Sequence, residues 1–455
     1  MSDTIEMERP AAAARAGEAG TERNRSVLAE PLTLPCGQVI KNRIAKVAMT
    51  EGLAEGDNRS NARFVELYRR WGAGGAGVMV TGNVIVDRWH LERGGNLAID
   101  GEQDEDAKMW LRRTAEAAQA YGGKIWAQLN HAGRQTQKAI NKTPKAPSDV
   151  GLKMGNGRFG TPTPLTGQEV EAAIEAFVNA ARILNECGFD GVQMHAAHGY
   201  LISQFLSPLS NRRDDQWGGS LENRARFLLT IVRRIRAECP PPFAVTVKLN
   251  SADFQRGGFD EKDSVRVAAM LEEAGCDLIE VSGGNYEQPQ MIGFERKDPL
   301  AANKRESTRR REAYFLGFVP LLREATSLPV IVTGGFRSVD AMIDARVEDG
   351  VDMIGLGRPL VLNPEGANDI LEGRADRLES RDADLVIGTG LLGPRSPISF
   401  LRDLNAWGSL GWYYEHIYSI ADKKPIDRAL SAFKALLRYD RTEGKTAKAV
   451  KREAA

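Results

Sequence analysis

Three polar side chains of this sequence stand where the alternation of a β-strand would aim them at a common point. Successive residues of a strand point to opposite faces. Val245, Val247 and Leu249 share one parity and suit packing beneath outer helices, which turns Thr246, Lys248 and Asn250 the other way. The same alternation sends Val192 and Met194 outward, Gln193 and His195 inward, and sets Gln128 with Trp126 on the inner side of Ile125–Leu129. Gln128, His195 and Lys248 therefore converge near the C-terminal ends of three strands. A lysine enclosed there needs an anionic partner. None lies within the three strands, although Asp253 or Glu280 could supply one. The convergence has two readings: a polar network that satisfies itself, or a ligand site.

Elements to carry such residues recur along the chain. The apolar runs are Ile44–Thr50, Val78–Val86, Lys124–Leu129, Gly191–His195, Phe243–Leu249, Leu278–Val281, Val330–Thr333 and Met353–Gly357, each separated from the next by a helical pattern. Alternating βα units predict a parallel sheet, and eight of them favour an α/β fold closed as a (β/α)8 TIM barrel over residues 29–375. Active sites of such barrels sit at the C-terminal rim of the strands. Residues 1–28, which mix Glu and Arg among alanines, read as a disordered leader. Residues 376–455 read as a C-terminal helical extension with an aromatic cluster (Trp407, Trp412, Tyr413, Tyr414, Tyr418), a helix at Ala429–Tyr439 and a basic tail. The extension is either an appendage on the outside of the barrel, or an aromatic wall over its mouth or a subunit contact. Ser220 is the expected N-cap of a helix through Ile235, with Asn223 in its first turn.

One motif misleads. Gly72-Ala73-Gly74-Gly75-Ala76-Gly77 fits the dinucleotide fingerprint, whose mechanism needs the glycines after a strand and before a helix. Here a helical pattern, Arg63–Trp71, precedes them and the strand at Val78 follows, so they serve a tight helix-to-strand turn. Composition narrows the partners. With 61 basic and 61 acidic residues the chain lacks the concentrated positive field of a nucleic-acid binder. No apolar run approaches the roughly 18 residues of a membrane helix. Cys36, Cys187, Cys239 and Cys276 are too scattered for a metal cluster or a disulfide framework, which favours a reducing cytoplasm.

The run from His195 to Phe227, HAAHGYLISQFLSPLSNRRDDQWGGSLENRARF, resembles the Old Yellow Enzyme family of FMN oxidoreductases. Five further blocks agree in order: KNRIAKVAMT at Lys41–Thr50, AQLNHAGRQ at Ala127–Gln135, VKLNSADF at Val247–Phe254, VTGGF at Val332–Phe336 and GLGRPL at Gly355–Leu360. The resemblance spans roughly Leu32 to Pro364. It implies that His195 and His198 hold the substrate's carbonyl oxygen and that Tyr200 protonates its α-carbon. Two histidines three apart would otherwise suggest a metal, but no third ligand has suitable spacing, so none is expected. Gln128 then meets the flavin's pyrimidine edge, and Lys248 stands where many members carry arginine near N1 and O2. Its charge would favour the anionic reduced flavin, without arginine's planar fork. Thr50 falls near flavin O4, and Ala48, Met49 and Gly82 contact the ring through backbone. Gly334, Gly335, Gly357 and Arg358 match the phosphate cradle. Independently of family, bare N–H groups reach phosphate where no side chain intervenes, and arginine adds a charged fork.

The implied activity is reduction of the C=C bond of α,β-unsaturated carbonyl compounds, with tightly held FMN and NADH or NADPH as donor. A flavin-only dehydrogenase or isomerase, or a non-catalytic flavin-binding regulatory protein, is the alternative. The expected partner is a small enone-type molecule, with a homo-oligomer as a further possibility and no nucleic acid or membrane. Substrate choice is expected to lie in the loop Asn285–Arg311 and in the tail aromatics.

Overall fold

The computed structural model describes residues 25–152, 157–284, 313, 315–394 and 396–450. Eight parallel strands form the centre: β1 (Ile44–Lys46), β2 (Val78–Ile85), β3 (Lys124–Asn130), β4 (Gly191–Ala196), β5 (Ala244–Asn250), β6 (Leu278–Ser282), β7 (Val330–Thr333) and β8 (Met353–Leu356). They pair in chain order, and β8 returns to β1 through Gly355↔Ala45, so the sheet closes. The outer ring includes α1 (Ala62–Ala73), α2 (Glu105–Gln119), α3 (Gly167–Glu186), α4 (Leu221–Glu238), α5 (Glu261–Glu273), α6 (Val319–Ala325), α7 (Val339–Val347) and α8 (Gly366–Leu371). The expected (β/α)8 barrel is what the chain forms.

Its walls follow the alternation. Val192, Met194, Val245, Val247 and Leu249 belong to the large core shared with the helices. A second apolar cluster contains Trp126, Val80, Leu278, Ile331 and Met353 together with Leu32, Leu34 and Ile40. The last three come from a hairpin, Leu32–Thr33 paired with Val39–Ile40, and Gln38 Oε1 accepts the Trp126 indole N–H at 2.9 Å. The hairpin plugs the end of the barrel opposite the polar rim.

Local signals hold where a cap or turn dictates them. Ser220 Oγ accepts the Asn223 N–H at 3.3 Å and starts α4, which runs to Glu238, three residues past the expected end. The glycine cluster does lead from α1 into β2. Gly75 has φ +94, and a Cβ there would lie 1.8 Å from Asn368 Oδ1, so the turn also admits the close approach of α8.

Three expectations change. β1 ends at Lys46 and not Thr50. The ladder between β2 and β3 slips between Val80 and Asn83, and the chain from Met49 to Glu51 crosses over Gly82 there. Residues 25–29 are helical and Leu28 is fully buried, so this part of the segment read as a leader is folded onto the barrel; residues 1–24 lie outside the described residues. Arg25 is held because its guanidinium caps the end of α8, with Nη1 donating to Ile370 O at 2.8 Å. The extension forms two long helices, α9 (Ser399–Ala421) and α10 (Ala432–Ala449). The aromatic cluster is the body of α9, and the basic tail as far as Ala449 is the second half of α10, helical because Lys and Ala are strong helix formers. α9 lies against the outside of the barrel beside α1, with Arg63 Nε 2.7 Å from Asp422.

Candidate active site at the C-terminal rim

The inward residues meet as their parity requires. Gln128 Nε2 donates to Gln193 Oε1 at 2.7 Å, and Gln193 Nε2 donates to Glu280 Oε2 at 2.9 Å. Lys248 Nζ lies 2.8 Å from Glu280 Oε1, which also accepts the Thr333 hydroxyl at 2.8 Å. Glu280 is therefore the anion that Lys248 needs, and it is wholly buried. Asp253, the other candidate, braces Asn250 and the Phe259 N–H instead. The lysine's charge is present at the rim but already paired.

At Ala196 the chain leaves β4, and His198 (φ +62) and Gly199 (φ +79) take the left-handed conformation before a short helix at Leu201–Leu206. Such a φ is uncommon outside glycine, and clusters at working sites. The turn folds His198 and Tyr200 back over His195. The His195 ring centroid is 4.8 Å from that of His198 and 4.8 Å from that of Tyr200, both edge to face. His195 Nδ1 accepts the Ala197 N–H at 3.3 Å, which leaves the proton of a neutral ring on Nε2. His198 Nε2 meets Ser282 Oγ at 2.7 Å, and the His198 N–H donates to Asn250 Oδ1 at 3.3 Å. Burial first, and then the nearness of His198 and of Lys248, hold His195 well below the ordinary imidazole range; burial and Lys248 do the same to His198. Both rings are neutral hydrogen-bonding groups.

Thr50 Oγ1 donates to Glu92 Oε2 at 3.0 Å. Ala48 and Met49 are half-buried just below it, beyond the end of β1. Gly82 serves packing: its N–H goes to Glu51 Oε1 at 2.7 Å, and a Cβ would sit 2.4 Å from Thr50 Cα. Its expected backbone contact with a ring therefore cannot use that N–H. Gly334 and Gly335 follow β7 with φ +114 and +91, a path that L side chains rarely take, and Gly357 and Arg358 follow β8. Arg358 Nη1 is 2.7 Å from Asp382 Oδ1, and Arg337 Nη2 is 3.1 Å from Asp382 Oδ2. Burial opposes ionisation of Asp382, but Arg358 and Arg337 prevail and hold it below the usual carboxylate range.

A flavin mononucleotide fits this donor set. Asn130 is 1 % exposed, and neither atom of its amide has a hydrogen-bond partner; Asn83 Oδ1 and Gln135 Oε1 are also buried and unmatched. Leaving such groups unsatisfied costs about 1–3 kcal/mol each, so a ligand that pairs with them is favoured. Gln128, Lys248 and Thr50 would surround the polar edge of the ring. The Gly334–Gly335 turn would receive the phosphate, which would share Arg358 with Asp382.

Sequence reasoning missed Asn130, Ser282, Glu92 and Asp382. Parity could have found two of them, since Asn130 follows Gln128 by two and Ser282 follows Glu280 by two. It also missed a cluster at the ends of β2 and β3, where Asp87, His90 and His131 bring three ligand-type atoms within 4.8 Å. A histidine bound to a metal donates its other N–H outward. Here those nitrogens accept instead, His90 Nε2 from the Lys145 N–H at 2.8 Å and His131 Nδ1 from the Gly133 N–H at 3.1 Å. The protons thus lie toward Asp87, which reads as a carboxylate gripped by two imidazoles. Burial and the neighbouring His90 push His131 down to about 4. The four cysteines are all free and buried.

The chain is 37% identical over 354 residues to the NADH-dependent flavin oxidoreductase iliE of Hypocrea jecorina, covering 73% of this chain and 86% of that one. It is 34% identical over 345 residues to the NADH oxidase of Thermoanaerobacter brockii, covering 75% of this chain but only 50% of that one. The fold matches the structure of an old yellow enzyme homologue from Zymomonas mobilis with a TM-score of 0.62 at 23% identity, over 78% of this chain and 94% of the other. Among the described residues, no helix is long and apolar enough to cross a membrane. Residues 27–377 match the family described as NADH:flavin oxidoreductase / NADH oxidase, so the chain belongs to that family and takes FMN and a nicotinamide nucleotide as its cofactors.

Proposed function

We propose that this NAD(P)H-dependent flavin oxidoreductase reduces the activated C=C bond of α,β-unsaturated carbonyl compounds, with Tyr200 as proton donor. The observation that carries the reading is the packing of His198 and Tyr200 against His195 at 4.8 Å, on the rim where Gln128 and Lys248 converge. Bound flavin supplies hydride, taken from the nicotinamide, to the substrate's β-carbon.

The chain's residues do the rest. His195 offers its Nε2 proton to the carbonyl oxygen, because Nδ1 is occupied by the Ala197 N–H. His198 can join through Nδ1 when Ser282 donates to Nε2. Two neutral donors stabilise charge building on that oxygen without the desolvation cost of two buried cations. Tyr200 is 4 % exposed, so bulk water does not replace it easily as the acid. A phenol remains protonated at neutral pH yet can yield its proton to a carbanion-like α-carbon.

Replacing Tyr200 with Phe separates the two halves of the cycle. In anaerobic stopped flow, reduction of the flavin by NAD(P)H stays near wild type while reoxidation by cyclohexenone slows by about 100-fold or more, the usual weight of a general acid. Equal loss in both halves removes Tyr200 from the role.

A further inference from the structure

Thr50 and Asn83, from the segment after β1 and from β2, converge on one oxygen. Thr50 Oγ1 donates to Glu92 Oε2 at 3.0 Å, and Asn83 Nδ2 donates to the same atom at 2.9 Å. Glu92 is further fixed through its backbone, since Gln137 Nε2 donates to its carbonyl at 3.1 Å. The next residue anchors this loop from the other side. Arg93 is 1 % exposed, its guanidinium 3.9 Å from the ring centroid of Tyr414 and 5.1 Å from that of Tyr439, with Nε 3.0 Å from Glu443 Oε1. Those three partners belong to α9 and α10, outside the family-matched residues 27–377. One dipeptide thus links the extension to the active-site rim.

We propose that Glu92 is a positioning residue that lowers the reduction potential of the bound flavin through Thr50, an inference that rests on Thr50 lying beside the ring's O4 edge. A hydroxyl has one proton. Donated to Glu92, that proton is withheld from the ring, and Thr50 turns lone pairs toward an atom that gains negative charge on reduction. The carboxylate adds a second unfavourable charge in a partly buried setting, where Coulomb effects are weakly screened. In Glu92→Gln the amide nitrogen can take the place of the shared oxygen once the Asn83 amide turns over, donating one N–H to Thr50 Oγ1 and the other to Asn83 Oδ1, which has no partner in the wild type. This releases the hydroxyl proton toward the ring and removes the charge, and both changes favour the reduced flavin.

The test is the midpoint potential of the flavin-loaded protein, read by equilibration with a reference dye during slow enzymatic reduction. Wild type, Glu92→Gln, Glu92→Asp, Thr50→Val and Thr50→Val/Glu92→Gln are compared. Glu92→Gln should raise the ratio of reduced to oxidised flavin at fixed dye ratio about tenfold, equivalent to about 30 mV for a two-electron couple. In the Thr50→Val background that shift should shrink. Flavin-loaded Glu92→Gln at the wild-type potential overturns the proposal, as does a shift that persists in full without the Thr50 hydroxyl. Should Glu92→Gln not fold, Glu92→Asp decides: one methylene shorter, it must also raise the potential, and an unchanged value overturns the idea. A Thr50→Val potential equal to wild type instead overturns the placement of Thr50, and wild-type protein that takes up no FMN overturns the flavin site itself.

Discussion

Replacing Glu280 with Gln changes one oxygen to an amide nitrogen in the middle of the lumen, and its consequences can be worked from the contacts. Glu280 is wholly buried and accepts from Lys248 Nζ and the Thr333 hydroxyl at 2.8 Å each, and from Gln193 Nε2 at 2.9 Å. Glutamine has nearly the same shape but carries no charge and offers one acceptor oxygen. Whichever way its amide turns, an NH2 group faces a donor, either Lys248 or Gln193. Lys248, 4 % exposed, keeps its ammonium without a counter-charge. Removing one partner of a buried ion pair costs about 3–5 kcal/mol. That is a large share of the roughly 5–15 kcal/mol that holds a typical domain folded.

The companion variants identify the source of that loss. Lys248→Met/Glu280→Gln removes both charges, and a double-mutant cycle should return a coupling of about 2 kcal/mol or more, since an apolar replacement of a buried pair is often nearly neutral. The assay is urea unfolding followed by intrinsic fluorescence. It is run at two FMN concentrations so that the binding contribution, RT ln(1 + [L]/Kd), can be separated from the pair itself. A loss below about 1 kcal/mol in Glu280→Gln would refute the reasoning. So would a double variant as unstable as the single one, because the penalty would then not come from the stranded ammonium.

Two other perturbations read the parts of the molecule that lie around this centre. Glu443→Ala leaves the Arg93 guanidinium enclosed between Tyr414 and Tyr439 without its anion; the expected loss is about 3 kcal/mol, with faster proteolysis of α9 and α10, and an unchanged digestion pattern would count against the clamp. His131 is pushed down to about 4, below the value of about 6.5 in an unfolded chain, so the unfolded chain takes up the proton first. Its contribution is therefore complete above about pH 6.5 and is lost as pH falls toward 4, amounting to about 3 kcal/mol. Urea midpoints across that window should fall in the wild type and flatten in His131→Gln.

The barrel was legible because its signal is local and repeated. Each strand needs only a short apolar run, and the alternation within β3, β4 and β5 was enough to turn Gln128, Gln193, His195 and Lys248 inward. Even the counter-ion was within reach, since Glu280 and Asp253 were the two acids adjacent to the set; choosing between them required the register Lys248↔Glu280. The end of β1 was not legible, because the slip near Gly82 lies on the neighbouring strand and leaves no mark on Ala48–Thr50 themselves. The loop expected to select substrate, 285–311, lies outside the described residues.

What no local pattern could show is how the extension reaches the barrel. Arg93 and Glu443 are 350 positions apart, and an arginine in a loop and a glutamate in a charged helix each look like solvated surface. Asp382 is similar: nothing near it foretells that Arg358 and Arg337 will share it. Yet the two contacts fall at the two ends of the expected flavin site, Arg93 behind Thr50 and Asp382 on Arg358, just past β8. A domain that only covered apolar surface would have no reason to place its charges there. Placing buried ions costs several kcal/mol unless their geometry is satisfied. The extension supplies the counter-charge at both points, Glu443 to Arg93 and Asp382 to Arg358 and Arg337, and so ties its own order to the positions of Glu92 and Arg358.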